Sequence, residues 1–593
     1  MWVTRMVSGL QKAWWRNMAD QPANVFATVL GVDLCSALIE GLDRRLTGQG
    51  PEALARVEIL VANGRMERRL KALYTARGAG LLPRIRPVQT VGDTAIVRDV
   101  APPVSPLALR LSLAQLIARL LDQAPNLAPR AALYDLADSL ADFMGEMAEE
   151  GVSPADIAAL DMGEHSKHWE RAQAFLRIAT QMVAQESRLI PEARQSAIVA
   201  RLERMWAVDP PKHPVIVAGS TGSRGATFRL MKLVACLPQG AVILPGLDPD
   251  MPPDLWHGLL EDRRGGLAGE DHPQYRLARF LDAVGMDPVN VPIWGHSNPV
   301  QPERNRALSL ALRPAPVTDQ WREEGPKLPD IREAMADVTL LEAPTPQLEA
   351  TAIALRLRQA VAEGQRAALV TPARQLARQV TAQLDRWRIL PDDSAGDTLA
   401  QSAPGRFLRQ IAEAMTAPVT AEGLVAILKH PLCHSDKDRG PHLLRTLELE
   451  LKVLRRGLAF PTRGALMDWA LTRENDPGAV AWVDWIADQL LDAFDALTNP
   501  FTERLNRHIA CAEAMAVGPG GGTPEELYAE EAGAQAARLI ADLSDDAHAG
   551  GAMTARDYAS FFDALTRDRE VRSAIRPHAD VLIWGTQEAR IQG

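Results

Sequence analysis

The chain is poor in lysine and cysteine, and each shortage closes off some chemistry. Nine lysines stand against 56 arginines in 593 residues. That skew fits an arginine-biased genome better than dedicated phosphate recognition. The four cysteines, Cys35, Cys236, Cys433 and Cys511, are scattered and form no C-x-x-C pair. They supply no zinc or cluster motif and suit a reducing, cytoplasmic compartment. No apolar run approaches the roughly 18 residues a membrane span needs, so no membrane partner is expected. The first seventeen residues, MWVTRMVSGLQKAWWRN, are basic and tryptophan-rich but lack the apolar stretch of a secretory signal. Met18 is an alternative start. A net charge of −10 argues against coating nucleic acid by bulk electrostatics, while a local basic channel remains compatible with it.

What is there fits a multidomain soluble protein. Composition is ordinary at 47% hydrophobic and 24% charged, and single cores stop growing near about 250–300 residues. The organising stretch is 214–248, PVIVAGSTGSRGATFRLMKLVACLPQGAVILPGLD. Val215–Ala218 reads as a buried strand and Phe228–Cys236 as a helix. Ala241–Leu244 reads as a second strand, ending at Asp248. Gly219, Gly222 and Gly225 make the turn between the first strand and the helix. Such units pair in parallel and place ligands at the strand C-termini.

Three readings of this turn compete. A phosphate loop requires G-x-x-x-x-G-K-[ST]; here Ser220 replaces the first glycine, and Ala226, before Thr227, stands where lysine belongs. A dinucleotide loop requires G-x-G-x-x-G; the spacing here is G-x-x-G-x-x-G, with Asp248 as a candidate ribose acid. The third reading is a tight strand-to-helix turn whose glycines take positive φ.

The first strand, Val25–Val29, leads through Gly31-Val-Asp33 into a helix over Leu34–Leu46. A Walker A loop belongs at this first turn, yet it holds one glycine and no lysine or threonine at the required spacing. A second strand, Val57–Ala62, precedes a helix bearing Arg65, Arg68 and Arg69, and Ile85–Val88 makes a third. From Ser105 the pattern turns helical, with Ser105-Pro106 as N-cap and first helical residue and another start at Ser153-Pro154. His165 and His168 lie one turn apart without a third ligand, which reads as solvent-facing or capping rather than metal-binding. Asp271–Leu281 reads as a helix and Pro299–Pro329 as a proline-rich linker.

A second α/β segment is expected from Val338–Leu341 as its opening strand. The helix Thr345–Ala362 and the strand Ala367–Val370 follow. Here the chain repeats itself. Leu60-Val61 with Arg65 and Arg69 matches Leu369-Val370 with Arg374 and Arg378, each pair 309 positions apart. Both are a buried strand, a short turn and a helix with arginine at i and i+4, consistent with two copies of one fold. Residues 406–575 are helical again, interrupted by a glycine-rich loop at 518–523. His430, Cys433 and His434 form an H-x-x-C-H cluster beside Pro431, better read as a helix C-terminus than a metal site. Val581–Trp584 is a last apolar strand, expected beside Ala367–Val370. A strand so near the end suggests a truncated domain with an unpaired apolar edge.

An α/β domain with an all-α insertion, followed by a second of the same kind, is the layout of superfamily 1 helicases. The phrases VIVAGSTGSRGATFRL, HPQYRLARFLDAVGM, LEAPTPQLEATAIALRLRQ, ALVTPARQLARQV, DDSAGDTLAQSAPGRFL, ILKHPLC and IWGTQEARIQG go further. Over about 24–593 the chain resembles the AddB family of alphaproteobacterial type, second subunits of the AddAB helicase–nucleases that process double-strand DNA breaks for recombinational repair. The resemblance implies two RecA-like, P-loop NTPase-like domains. The first spans 24–104 and 206–300 around an all-α insertion at 105–205. The second spans 336–405 and 576–593 around an insertion at 406–575. An extension (1–23) and a linker (301–335) complete the chain.

The resemblance also implies degenerate nucleotide loops at Gly31 and Asp33 and at Gly219, Gly222, Gly225 and Thr227. None of residues 219–227 is acidic, so the magnesium and water-positioning roles of an active relative are unfilled. Helicase and exonuclease activity belong to the family, and this chain is expected to be catalytically inactive. The family's magnesium-dependent nuclease domain, with its iron–sulfur cluster, would begin beyond Gly593, so no cofactor is expected within these residues. Expected partners are the AddA subunit, as a heterodimer, and single- and double-stranded DNA ends. Arg65, Arg69, Arg374 and Arg378, placed after strand C-termini, are the candidate phosphate contacts; a solvated helix face is their alternative role. The competing function is a dinucleotide- or nucleotide-sugar-binding enzyme using Gly219–Thr227 and Asp248.

Overall fold

The computed structural model describes residues 23–586 and 589, except 94–96, 99, 124, 126–127, 154–155, 157–189, 262–268, 296–297, 315–316, 394–395, 436–438, 495–496 and 572–577. The histidines at 165 and 168, the N-terminal extension and most of the last phrase lie outside the described residues.

The protein is mixed α/β, built first around a five-stranded parallel sheet. Its strands are β1 (Val25–Val29), β2 (Glu58–Val61), β3 (Arg84–Pro87), β4 (Val215–Ala218) and β5 (Gly240–Leu247), ordered β1-β5-β4-β2-β3. A parallel bridge from Ala27 to Ile293 adds one more rung outside β1. The central strand β4 is a continuous apolar run because both sheet faces are covered there, whereas the edge strand β3, Arg-Ile-Arg-Pro, buries only Ile85. Alternate residues serve opposite cores. Val215 and Val217 pack with the helices Pro191–Trp206, Gly225–Ala235 and Tyr275–Ala283. Ile216 and Ala218 pack with Leu34–Arg45 and Gly64–Ala76. Asn63 starts the helix Gly64–Ala76 by accepting the Met66 amide at 2.9 Å, which satisfies a donor the helix itself cannot.

The second sheet has three parallel strands, β6 (Ala367–Val370), β7 (Pro391–Asp393) and β8 (His578–Trp584), ordered β6-β8-β7. The expected pairing is present: Val581 faces Ala367 and Trp584 faces Val370. β8 is the inner strand, so the outer positions fall to β6 and β7. The helices Pro346–Ala362 and Arg374–Asp385 cover one face through Ala354, Leu357, Val380 and Leu384.

One expectation is corrected. Val338–Leu341 is no strand; it is unpaired, with Val338, Leu340 and Leu341 55%, 85% and 58% exposed. An apolar stretch becomes a strand only when a neighbouring strand takes its backbone hydrogen bonds; among the described residues none does, and the Val338 amide instead donates to the Met335 carbonyl at 2.9 Å. The two helical blocks, expected as insertions at 105–205 and 406–575, share a core. Residues from Val104–Ile190 and from Leu399–Phe562 form one hydrophobic core. Tyr134 stacks near Phe561 with centroids 5.0 Å apart, and Ser105 Oγ donates to Asp546 at 2.5 Å. Helical periodicity reveals an apolar face but not which distant face it meets.

Candidate functional site

The turns after β1 and β4 lie at C-terminal ends of parallel strands, where sheets of this kind take ligands. After β1, Gly31 adopts φ +76°, which favours glycine. Asp33 then caps the helix Leu34–Arg45. Its carboxylate accepts the Cys35 amide at 3.3 Å and the Ser36 hydroxyl at 2.6 Å. Arg69 closes an ion pair with it at 2.8 Å. A helix N-terminus binds phosphate through exposed amides and the positive end of the helix dipole. Here the chain's own carboxylate holds that place and would repel a phosphate. Asn305, from the helix Pro302–Ala311, donates to the Leu30 carbonyl at 2.8 Å and lies over Gly31. Burial, then Asp33, pushes the Cys35 thiol up to about 12, so it stays protonated.

The turn after β4 is occupied differently. Gly219 and Gly222 take φ +76° and +66°. Gly222 is buried against Phe228 and Met231, and its amide donates to Ser220 Oγ at 3.2 Å. Gly225 begins the helix Gly225–Ala235, and a Cβ there would lie 2.2 Å from the Glu149 carbonyl oxygen. The C-terminus of the helix Leu133–Glu150 therefore abuts this helix N-terminus, and Arg224 pairs with Glu149 at 3.2 Å. Gly225 meets a packing need rather than a ligand. Thr227 is half-buried on the first turn of the helix. Asp248, the candidate ribose acid, is buried and accepts the Asp250 amide at 3.0 Å within its own turn.

One candidate arginine, Arg65, reaches from the first sheet to the second. Arg65, on the first sheet's side, pairs with Asp392 of β7 at 3.5 Å, and Arg374 pairs with neighbouring Asp393 at 3.8 Å. The repeated strand-turn-helix units thus converge on two successive aspartates. The side chains of Arg65 and Arg69 are 15% and 18% exposed, whereas Arg374 and Arg378 are exposed. Arg366, just before β6, feels Asp33, Arg65, Arg69 and Asp580. Burial, then Arg69, lowers its pKa. Sequence reasoning missed Arg366, Asp392, Asp393 and Asn305. The acidic pair was visible in DDSAGD, but its partner 327 positions earlier was not.

The H-x-x-C-H cluster is a turn in the helical core. Arg439 donates to the carbonyls of Cys433 at 2.6 Å and His430 at 3.2 Å, and His430 stacks on Phe407. Among the described residues no group of three His, Cys, Asp or Glu side chains is placed to hold a metal, and no helix is long and apolar enough to cross a membrane. Compared with known proteins, the chain matches no family profile and no curated relative.

Proposed function

We propose that the chain is an AddB-type, DNA-binding, helicase-like subunit with two RecA-like halves and no nucleotide chemistry of its own. It would act beside an AddA subunit on DNA ends in recombinational repair, in the cytoplasm. The observation that carries this reading is that both ligand-side turns of the first sheet are filled by protein. Asp33 with Arg69 occupies one, and the Glu149 backbone occupies the other. A fold with ligand positions so filled retains its outward arginines for other work. Arg374 and Arg378 follow the C-terminal end of β6 and are exposed, as phosphate contacts require. Arg65 pairs across the junction between the sheets and Arg69 holds Asp33 in the turn after β1, so the direct phosphate contacts fall to Arg374 and Arg378.

The test is fluorescence anisotropy of labelled oligothymidylate titrated with the full chain at several salt concentrations. Binding should weaken with salt. Replacing Arg374 and Arg378 with Ala should make the log–log slope shallower by about 0.7 for each phosphate left without its arginine. Absence of any salt-dependent DNA binding would overturn the proposal.

A further inference from the structure

A second basic surface lies away from the aspartate pair, where the helices Pro346–Ala362 and Arg374–Asp385 end. Residues 356–388 carry seven arginines against two acids, in a chain of net charge −10. All seven are exposed, but Arg374 faces Asp393, Arg366 lies near Asp33 and Arg356 pairs with Glu363 at 4.0 Å, so this end of the helices rests on Arg358, Arg386 and Arg388. Two of them hold an aromatic ring. The Arg358 guanidinium lies 4.7 Å from the Trp387 ring centroid, and that of Arg386 lies 5.9 Å from it. Among the described residues neither arginine has an ion pair; Arg386 Nη1 donates only to the Gln383 side chain, at 3.3 Å. Many arginines elsewhere are answered by carboxylates, as Arg463 is by Asp484, Asp488 and Asp492.

The backbone supplies an independent observation. Arg388 sits at φ +57°, in the left-handed region that a side chain disfavours. Its amide donates to the Asp385 carbonyl at 2.8 Å, and the Ile389 amide donates to Leu384 at 3.3 Å. This is the paired-bond helix stop in which glycine is the usual left-handed residue. Arginine here costs stability and gains no side-chain partner among the described residues. Such a residue, beside an arginine-flanked tryptophan, points to an external ligand.

We infer that Arg358, Trp387, Arg386 and Arg388 form a contact site for single-stranded DNA, with the arginines on phosphates and Trp387 with its flanking guanidinium groups stacking on a base. Cationic side chains interleaved with an aromatic ring are the means by which single strands are held without sequence choice. Trp387 is half-buried against the core of the second sheet, which holds the ring in place, and an acidic protein would satisfy the charges without engaging it. The choice of DNA rests on the function proposed above; the site does not share residues with it.

The experiment is the same anisotropy titration with R358A/R386A, R388G and W387F variants of the full chain, each also melted. The double variant should bind oligothymidylate about tenfold more weakly, with a salt slope shallower by about 1.4. R388G should weaken binding while its melting temperature holds or rises, which separates a weakened DNA site from a damaged fold. W387F should keep most of the affinity. If R358A/R386A and R388G bind as the parent does while the Arg374 and Arg378 variants weaken, this site is overturned and the proposed function stands. Polyglutamate competing as well as unlabelled oligothymidylate would overturn it in favour of an acidic protein partner. No DNA binding by the parent chain overturns both.

Discussion

The two parallel sheets differ in how completely they are wrapped. In the first, β4 is buried along its whole length, and its residues alternate between two cores. In the second, β6 alternates between half-buried and exposed residues, and Val370 is 48% exposed. The repeated strand-turn-helix pattern, too, sits inside one sheet at β2, buried from Ile59 to Val61, and at the rim of the other at β6. The first sheet is the stable platform, and the second presents its apolar and cationic side chains outward.

The sharpest way to break this comparison is a matched pair of truncations. Ile216→Ala, fully buried, should cost about 2–5 kcal/mol in denaturant unfolding. Val370→Ala should stay within about 0.5 kcal/mol. Equal losses would mean that the rim of the second sheet is covered in solution. Next in size is Gly225→Ala. Its new methyl meets the Glu149 carbonyl, so a loss of about 1–3 kcal/mol is expected. Gly31→Ala has only Asn305 and Pro299 at 3.7 Å and beyond, and should lose about 1 kcal/mol through its positive φ. If Gly225→Ala proves harmless, the turn after β4 is open.

The helical body sharpens the contrast through pH. Burial pushes His430, His442 and His508 down to about 4. His508 is held between the Tyr558 hydroxyl and the Leu408 carbonyl, each at 2.8 Å, and His442 accepts from Trp482 Nε1 at 3.0 Å. Unfolded histidine takes up its proton near pH 6.5, so between 6.5 and 4 the unfolded chain binds more protons than the folded one. Stability should fall as pH drops through that window and level off near 4. His508→Gln should flatten the profile measured by denaturant midpoint. An unchanged profile would mean that the ring is not buried as a neutral group. A small effect also belongs to the partly exposed Arg65–Asp392 pair. Arg65→Ala should change stability by about 0–1 kcal/mol, screened by salt, as a double-mutant cycle with Asp392→Ala would measure.

The sequence made some of this legible. Apolar runs located β1, β2, β4, β5 and β6, and the pairing of β8 with β6 followed from apolarity and chain order alone. Val338–Leu341 carried the same local signal and formed no strand, because pairing is a property of neighbours. Gly225 looked like a loop motif because spacing cannot separate a glycine that admits a ligand from one that admits a helix end. The filling of the first turn was half visible. The missing lysine could be read directly, but the reach of Arg69 across 36 positions to Asp33 could not.

Nucleotide binding tests the filling of those two turns most directly. Magnesium–ATP is titrated calorimetrically into the full chain, with and without saturating oligothymidylate. Asp33 and the Glu149 backbone predict no saturable heat in either titration. Saturable micromolar binding that is abolished when Gly31 or Gly225 is replaced would show the turns to be open, and would contradict a helicase-like subunit without nucleotide chemistry.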